Sequence, residues 1–449
     1  MTSIASAVAR FKDNPQFHLN HRTVWQACDD VGCTWRDRQL DPVTTIQLFI
    51  AQVLHGNVAC RTLRHVAGLT CSAAAYCKAR ARLPLDVFGL IVQQVTHAAR
   101  ETTNDIGRWR GHRLFYVDGT GVSMPDTPAL AQAFGYPGSV KPGCGFPVMH
   151  GLFLFDAATG LIVDLVFSHG HTHDAAVATR VHPSLEPGDV LLGDRAFDSF
   201  THLAWLIDEG IEALCRVHQR RIVDFKQGRA SRSRSHRQHV AGRPASRQIR
   251  RLGHEDQWVE YRRDSACPVW LAADQFAELP ASIVVRELCY RVTRRGYRTH
   301  TVTLVTTLLD PVKYPKQELV ALYGQRWEAE TNLRYLKQTM GMDVLRCKTP
   351  DGVLKELWMY VLVYNLVRLL MLAAAKQQDV KPNRISFIDA LDCLRYAAPT
   401  AALPPLVVNP LRSGRHEPRV IKRRKDRYTV MTQPRERLRQ ALGISAVTA

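Results

Sequence analysis

The chain has 449 residues, with 60 Lys and Arg against 41 Asp and Glu, a formal charge of +19; 46% of residues are hydrophobic and 22% charged. That mixture supports a buried core and excludes a globally disordered or low-complexity chain. The excess charge is confined: residues 216–251 hold 12 basic residues and one acidic, residues 409–440 hold 11 and three, and the remainder balances. Two patches of this density favour a polyanionic partner.

Length alone predicts roughly three domains. Residues 1–15 lack an apolar run of the length a secretory signal needs. Eleven cysteines, an odd number scattered through a long chain, predict free thiols in a reducing cytoplasm.

Residues 1–109 read as helical. Pro42 to His55 places Ile46, Phe49, Ile50 and Val53 at helical spacing. A short helix near Arg61 to Val66, the turn Gly68-Leu-Thr-Cys71, and an N-cap at Ser72 before Ala73 to Leu83 follow. Helix, glycine-containing turn, helix is the outline of a DNA-reading helix-turn-helix, with Lys78, Arg80 and Arg82 on its second helix. A plain helical hairpin with a solvated basic face is the equal alternative.

From Arg113 the pattern changes to strands: Leu114 to Val117, Val148 to Phe155, and Leu161 to Phe167 after the hairpin-like Asp156-Ala-Ala-Thr-Gly160. A helical stretch near Asp174 to Val181 and a strand at Asp189 to Leu192 complete the start of a mixed α/β sheet. Between Cys215 and Asp310 lie further strand-like runs, at Trp258 to Tyr261, Val269 to Ala272, Ile283 to Val292 and Thr299 to Leu308. Arg229 to Arg251, rich in Arg, Ser, Gln and His, reads as a mobile basic loop. Helical character returns at Lys316 to Met340 and Gly352 to Lys376. The most apolar stretch, Leu357 to Ala375, contains Asn365 and Arg368 and reads as a buried core helix rather than a membrane span. A proline-containing break, Pro399 to Pro410, precedes the basic tail.

Three carboxylates stand out. Asp118 ends an apolar strand, Asp194 follows another in Gly193-Asp-Arg-Ala-Phe197, and Glu330 lies in a long helix. Strand-end acids facing a helical acid form an oxygen-ligand set suited to Mg²⁺, whereas any single strand-end Asp is usually a turn or cap residue. The helix is more specific. At roughly 100° per residue, Tyr323, Arg326, Glu330 and Lys337 fall within an arc of about 60°, with Glu328 on the far side. An acid between two cations and a phenol suits a metal ligand beside DNA phosphates.

Tyr323-x2-Arg326-x3-Glu330-x6-Lys337 resembles the Y-R-E-K signature of the insertion-sequence-four family of DDE transposases. Tyr116-Val-Asp-Gly-Thr120 and Gly193-Asp-Arg-Ala-Phe-Asp198 look like that family's first and second Asp motifs. Leu304 to Asp310, Tyr314-Pro-x2-Glu318-Leu319 and Tyr360 to Leu370 extend the likeness, which covers roughly residues 83–375.

The resemblance implies an α/β fold: a ribonuclease-H-like mixed sheet core, interrupted by a β-rich insertion domain and preceded by an N-terminal helical domain. The expected division is a helical DNA-binding region over 1–109, core over 110–214, insertion over 215–310, core with the Glu helix over 311–405, and basic tail over 406–449. It implies Asp118, Asp194 and Glu330 as catalytic metal ligands for two Mg²⁺ ions, with Mn²⁺ as a substitute. Tyr323, Arg326 and Lys337 would contact DNA near the cut end. The implied reaction is hydrolysis at element ends, then attack of the freed 3′-hydroxyl on target DNA, by a homodimer in the bacterial cytoplasm at the nucleoid, with no membrane. Two alternatives are a nuclease of the same fold without strand transfer and a non-catalytic end-binding repressor. In some relatives a Trp in the strand before the Glu helix stacks on a flipped base. Here Thr299-His-Thr-Val-Thr303 has no aromatic, and Trp258 and Trp270 are the substitutes.

Two further clusters invite metal readings. His169-x-His171-x-His173-Asp174 reads better as a polar strand end, and Cys215-x2-His218 with His236-x2-His239 lacks the paired Cys knuckles of structural zinc sites. The Arg-rich loop and Lys422-Arg-Arg-Lys425 read as phosphate clamps.

Overall fold

A computed structural model describes residues 19–36, 39–68, 70–103, 106–138, 141, 144–170, 172, 174–229, 244–263, 266–293, 300–396, 403–410 and 433–443. Most of the basic loop and of the basic tail therefore lies outside the described residues, as do His171, His173, His236 and His239.

The N-terminal region is helical: α1 (His21–Asp30), α2 (Pro42–Leu54), α3 (Leu63–Val66), α4 (Ala73–Arg82) and α5 (Leu85–Thr103). Ser72 caps α4 by accepting from the Ala75 amide, as its spacing predicts. The DNA-reading expectation fares less well at Arg80. Its guanidinium lies 3.8 Å over the Phe49 ring and donates to Gln52 Oε1 and Cys347 Sγ. Arg80 thus fastens α4 to α2 and the core, leaving Lys78 and Arg82 exposed.

The remaining helices and strands are β1 (Leu114–Ser123), α6 (Pro128–Phe134), β2 (Val148–Asp156), β3 (Ile162–His169), α7 (Asp174–Val177), β4 (Val190–Gly193), α8 (Phe200–Asp208), β5 (Glu212–Arg216), β6 (Arg247–Gly253), β7 (Asp256–Arg262), α9 (Ala273–Glu278), β8 (Ser282–Val292), β9 (His300–Thr306), α10 (Lys316–Gln325), α11 (Trp327–Arg334), α12 (Pro350–Gln377), α13 (Phe387–Tyr396) and α14 (Arg435–Ala441). A nine-stranded sheet runs in the order β3-β2-β1-β4-β5-β9-β8-β7-β6. Strands β1, β4 and β5 are parallel, while β2 and β3 pair antiparallel on one side. The first five strands make the ribonuclease-H-like core. The β-rich insertion continues the same sheet, because β9 pairs antiparallel with the free edge of β5.

Several local expectations are corrected. Val269 to Ala272 is not a strand: Val269 is fully exposed and Ala272 precedes α9. The basic loop does not reach Arg251, since residues 247–253 form edge strand β6 paired with β7. Charged side chains suit such an edge, where they oppose pairing with another chain. The helix expected at Asp174 to Val181 becomes 3-10 after Val177 and includes Pro183.

Helix α12 is long and apolar enough to cross a membrane, yet 83% of that stretch is buried in the protein. Two polar residues within its apolar stretch tie it to the sheet. Asn365 accepts from the Ile162 amide at 2.9 Å and donates to the Ile162 carbonyl at 2.8 Å. Arg368 donates twice to the Thr159 carbonyl. Its guanidinium occupies the space a side chain at Gly160 would need, where φ is +72°. Buried polar groups in a protein core are tolerated when each is partnered in this way.

Candidate active site

The strand register brings the first two carboxylates level. Tyr116 pairs with Leu192 across the parallel strands β1 and β4. Two residues further along each chain stand Asp118 and Asp194, on the same sheet face by strand alternation. That face is covered below them by a core cluster containing Tyr116, Leu192, Ala329 and Leu333. Asp118 does not end its strand, contrary to expectation: β1 continues to Ser123, paired with β2 throughout. What ends is its neighbour, since β4 stops at Gly193. The crevice thus opens beside mid-strand Asp118. Asp194 caps the 3-10 turn Arg195–Phe197, its Oδ1 accepting from the Ala196 amide at 2.7 Å.

The third carboxylate comes from a helix less regular than its periodicity implies. The segment splits into α10, α11 and a π turn at Tyr335–Thr339. At Arg326 the turn tightens, with the Arg326 amide bonded to the Tyr323 carbonyl and the Ala329 amide to the Arg326 carbonyl. The π turn widens the helix one turn beyond Glu330, as such bulges do at functional sites. Lys337 lies in it, and its Nζ donates to Thr120 Oγ1 and to the Gly121 carbonyl, both at 2.9 Å. A uniform wheel therefore places the four residues on one stripe but does not show the way Lys337 is turned onto β1.

Arg326 links two of the acids: Nη2 lies 2.6 Å from Glu330 Oε1 and Nη1 3.9 Å from Asp118 Oδ2. Burial pushes the Asp118 carboxyl up to about 6; Arg326 opposes this, and the negative charges of Asp194 and Glu330 add to it. Burial also raises the Tyr323 phenol, to about 12, so it remains a proton donor at neutral pH. Its ring centroid is 5.9 Å from the Arg326 guanidinium carbon. Glu328 points elsewhere and accepts from Asn383.

A cleft of about 560 Å³ is lined by Asp118, Glu330, Lys337, Arg334, Gln338 and Asp343, among others. Asp343, in the loop after the π turn, has no motif that singles it out in the sequence. Among the described residues no three His, Cys, Asp or Glu side chains converge as a ready metal cage. The donor set nonetheless fits a hard divalent cation: three oxygen-bearing acids on separate rigid elements, one with its ionisation suppressed partly by the other two. The cation now among them is Arg326.

Other candidates resolve differently. Cys215 is buried in the core on the far face of β5, and His218 uses its amide and Nδ1 on Asp198 and the Arg220 amide, so neither presents a zinc ligand. Trp258 donates to the Leu309 carbonyl, and Trp270 packs against the core cluster of the opposite face. The Trp258 indole is held by that hydrogen bond, and the Trp270 ring by packing.

The family described as Transposase DDE domain matches residues 109–366. The chain is also similar to the transposase InsG for insertion sequence element IS4 of Escherichia coli (strain K12), 27% identical over 340 residues, which span 71% of this chain and 70% of that protein. Among solved structures, a cryo-EM structure of the piggyBac transposase synaptic complex with hairpin DNA aligns with a TM-score of 0.44 and 10% identity, over 88% of this chain and 80% of that one.

Proposed function

The chain belongs to the Transposase DDE domain family and is a DNA transposase, an enzyme that cleaves DNA and transfers strands with divalent metal ions; from that premise we propose that Asp118, Asp194 and Glu330 hold the metals and that Tyr323, Arg326 and Lys337 hold DNA at the cut end. The observation that carries the assignment is Arg326, which joins acids 212 positions apart in sequence, Asp118 and Glu330, through one guanidinium.

We assign Mg²⁺ to the site, two ions in the working complex, with Mn²⁺ able to replace it. Bound there, the ions supply activation of the attacking oxygen and stabilisation of the leaving one. The chain's own residues supply the rest. Lys337, anchored to β1, and Arg326 present positive charge to the scissile phosphate, and protonated Tyr323 donates a hydrogen bond. In the first step water adds to phosphorus and the 3′-oxygen leaves with a proton, as a free hydroxyl. In the second, that hydroxyl attacks a target phosphate and the target strand's own 3′-oxygen leaves. No covalent bond to the protein is needed. We place two copies on two element ends in the bacterial cytoplasm, at the nucleoid, and read residues 1–109 and the two basic segments as accessory DNA-binding regions.

The test is to incubate the full chain with Mg²⁺, DNA carrying its element ends and a target plasmid. Joined products support this reading, cleavage without joining supports a nuclease, and end binding alone supports a repressor. Glu330→Gln is expected to abolish cleavage and leave end binding intact; normal cutting by that variant would overturn the assignment.

A further inference from the structure

Asp118 is followed by Gly119, and the absence of a side chain there is filled from the other face of the sheet. A Cβ built on Gly119 would lie 2.5 Å from Asp174 Oδ1 and 2.6 Å from His150 Cε1. His150 comes from β2, directly across from Gly121 in the antiparallel register. Asp174 opens α7. The two are hydrogen-bonded, His150 Nε2 to Asp174 Oδ1 at 2.5 Å, with side chains only 15% and 25% exposed. Neither belongs to the metal-holding set proposed above, and the motif around His169 to Asp174 found no role there.

Three further observations tie this pair to the chemistry. The Gly119 amide donates to Asp118 Oδ1 at 3.0 Å, so the orientation of the 118–119 peptide sets the orientation of the carboxylate. Glycine has no side chain of its own to fix that peptide, and its backbone freedom must be removed by neighbours. Helix α7 also packs on the 3-10 turn Arg195–Phe197, which begins at Asp194. One hydrogen-bonded pair thus stands behind the middle of β1 and the end of β4, the two places that carry the first two acids.

We propose that His150 and Asp174 are a positioning pair, a wedge seated in the side-chain-free slot at Gly119 that fixes the direction of the Asp118 carboxylate towards its metal. The inference rests on the reading of Asp118 as a metal-holding residue. Groups that orient metal ligands from outside typically change affinity or activity 10–100-fold when removed. A carboxylate misdirected by about 1 Å has effects of similar size on rate.

The experiment uses the full chain with His150→Ala, His150→Gln, Asp174→Asn, Gly119→Ala and Asp118→Asn. Mn²⁺ binding is followed without DNA by electron paramagnetic resonance of the free ion, and single-turnover cleavage of element-end DNA is measured as a function of Mg²⁺. His150→Ala and Asp174→Asn are expected to weaken Mn²⁺ binding about 10-fold, raise the Mg²⁺ requirement and slow cleavage. Thermal midpoint and metal-free end binding should stay at the wild-type value. His150→Gln, whose amide still donates to Asp174, should recover most of the loss. Gly119→Ala should be as defective as His150→Ala, and His150→Ala should add little to it. Wild-type Mn²⁺ binding in His150→Ala, with Asp118→Asn inactive, overturns the wedge alone. Loss in His150→Ala that follows a lowered thermal midpoint and is not recovered by His150→Gln makes the pair merely structural and also overturns it. Cleavage by Asp118→Asn overturns the carboxylate reading first, and the wedge with it.

Discussion

Arg326 Nη2 lies 2.6 Å from Glu330 Oε1, one helical turn along the same segment. With its other nitrogen towards Asp118, the guanidinium lies between the two acids, where we propose that the metal binds. Arg326→Ala should therefore tighten Mn²⁺ binding to the DNA-free protein, because a competing charge is gone. The same variant should slow cleavage on the order of 100-fold, because a preorganised positive charge at the phosphate is lost. Unchanged Mn²⁺ binding would show that the guanidinium does not compete for the site.

The Asp118 carboxyl, proposed above to hold metal, is raised by burial from 3.8 to about 6. A carboxyl raised on folding favours the native state below its unfolded value and loses that contribution as pH rises through the folded value. The metal-free protein at pH 7 is then destabilised by this charge, at most by about 3 kcal/mol. Asp118→Asn should be inactive in cleavage yet melt higher than wild type at pH 7, and the gap should close below about pH 4. An equal or lower melting point at pH 7 would contradict the assigned burial.

The histidines His182 and His202 lie against each other in the core at 3.1 Å, with Glu209 on the outer side of His182. Burial lowers His182 from 6.5 to about 4 and holds His202 well below 6.5, aided there by His182. As pH falls below 6.5 the unfolded chain takes up protons that the native pair refuses, so stability drops between about 6.5 and 4. His182 accounts for about 3 kcal/mol of that loss. Replacing it by Asn should flatten the dependence of the melting point on pH over this interval, which calorimetry at several pH values measures.

Asn365 closes the start of β3 from α12 with two hydrogen bonds to Ile162. Asn365→Leu leaves a buried amide and carbonyl unpartnered and should cost about 2–4 kcal/mol. A urea titration reads this as a lower midpoint with an unchanged slope. A neutral result would mean that water or relaxation replaces both bonds.

Residues 230–243 contain four arginines and are flanked by Arg229, which donates to Ser246, and by edge strand β6. Removing them while keeping β6 should lower the slope of log affinity for DNA against log salt by up to about 4. Metal binding should be untouched. An unchanged slope would return the segment to a plain linker.

The sequence by itself pointed to the family and singled out the residues proposed here to carry the chemistry. Tyr323, Arg326, Glu330 and Lys337 share one helical stripe, and two acids follow apolar runs that can only be buried strands. Periodicity and residue type report such features because they depend on neighbours within a turn or a strand. Non-local relations were left to the tertiary structure. That the insertion extends the core sheet depends on which edge stays unpaired at β5, a competition between distant segments. That Lys337 turns onto Thr120 depends on a π turn, which a uniform wheel does not contain. That Arg80 leaves the basic face for the Phe49 ring depends on how α4 packs on α2. The wedge behind Gly119 is the same kind of fact: His150 and Asp174 meet there only because β2 and α7 fold back onto β1. Local pattern names the residues, and chain packing decides which of them touch.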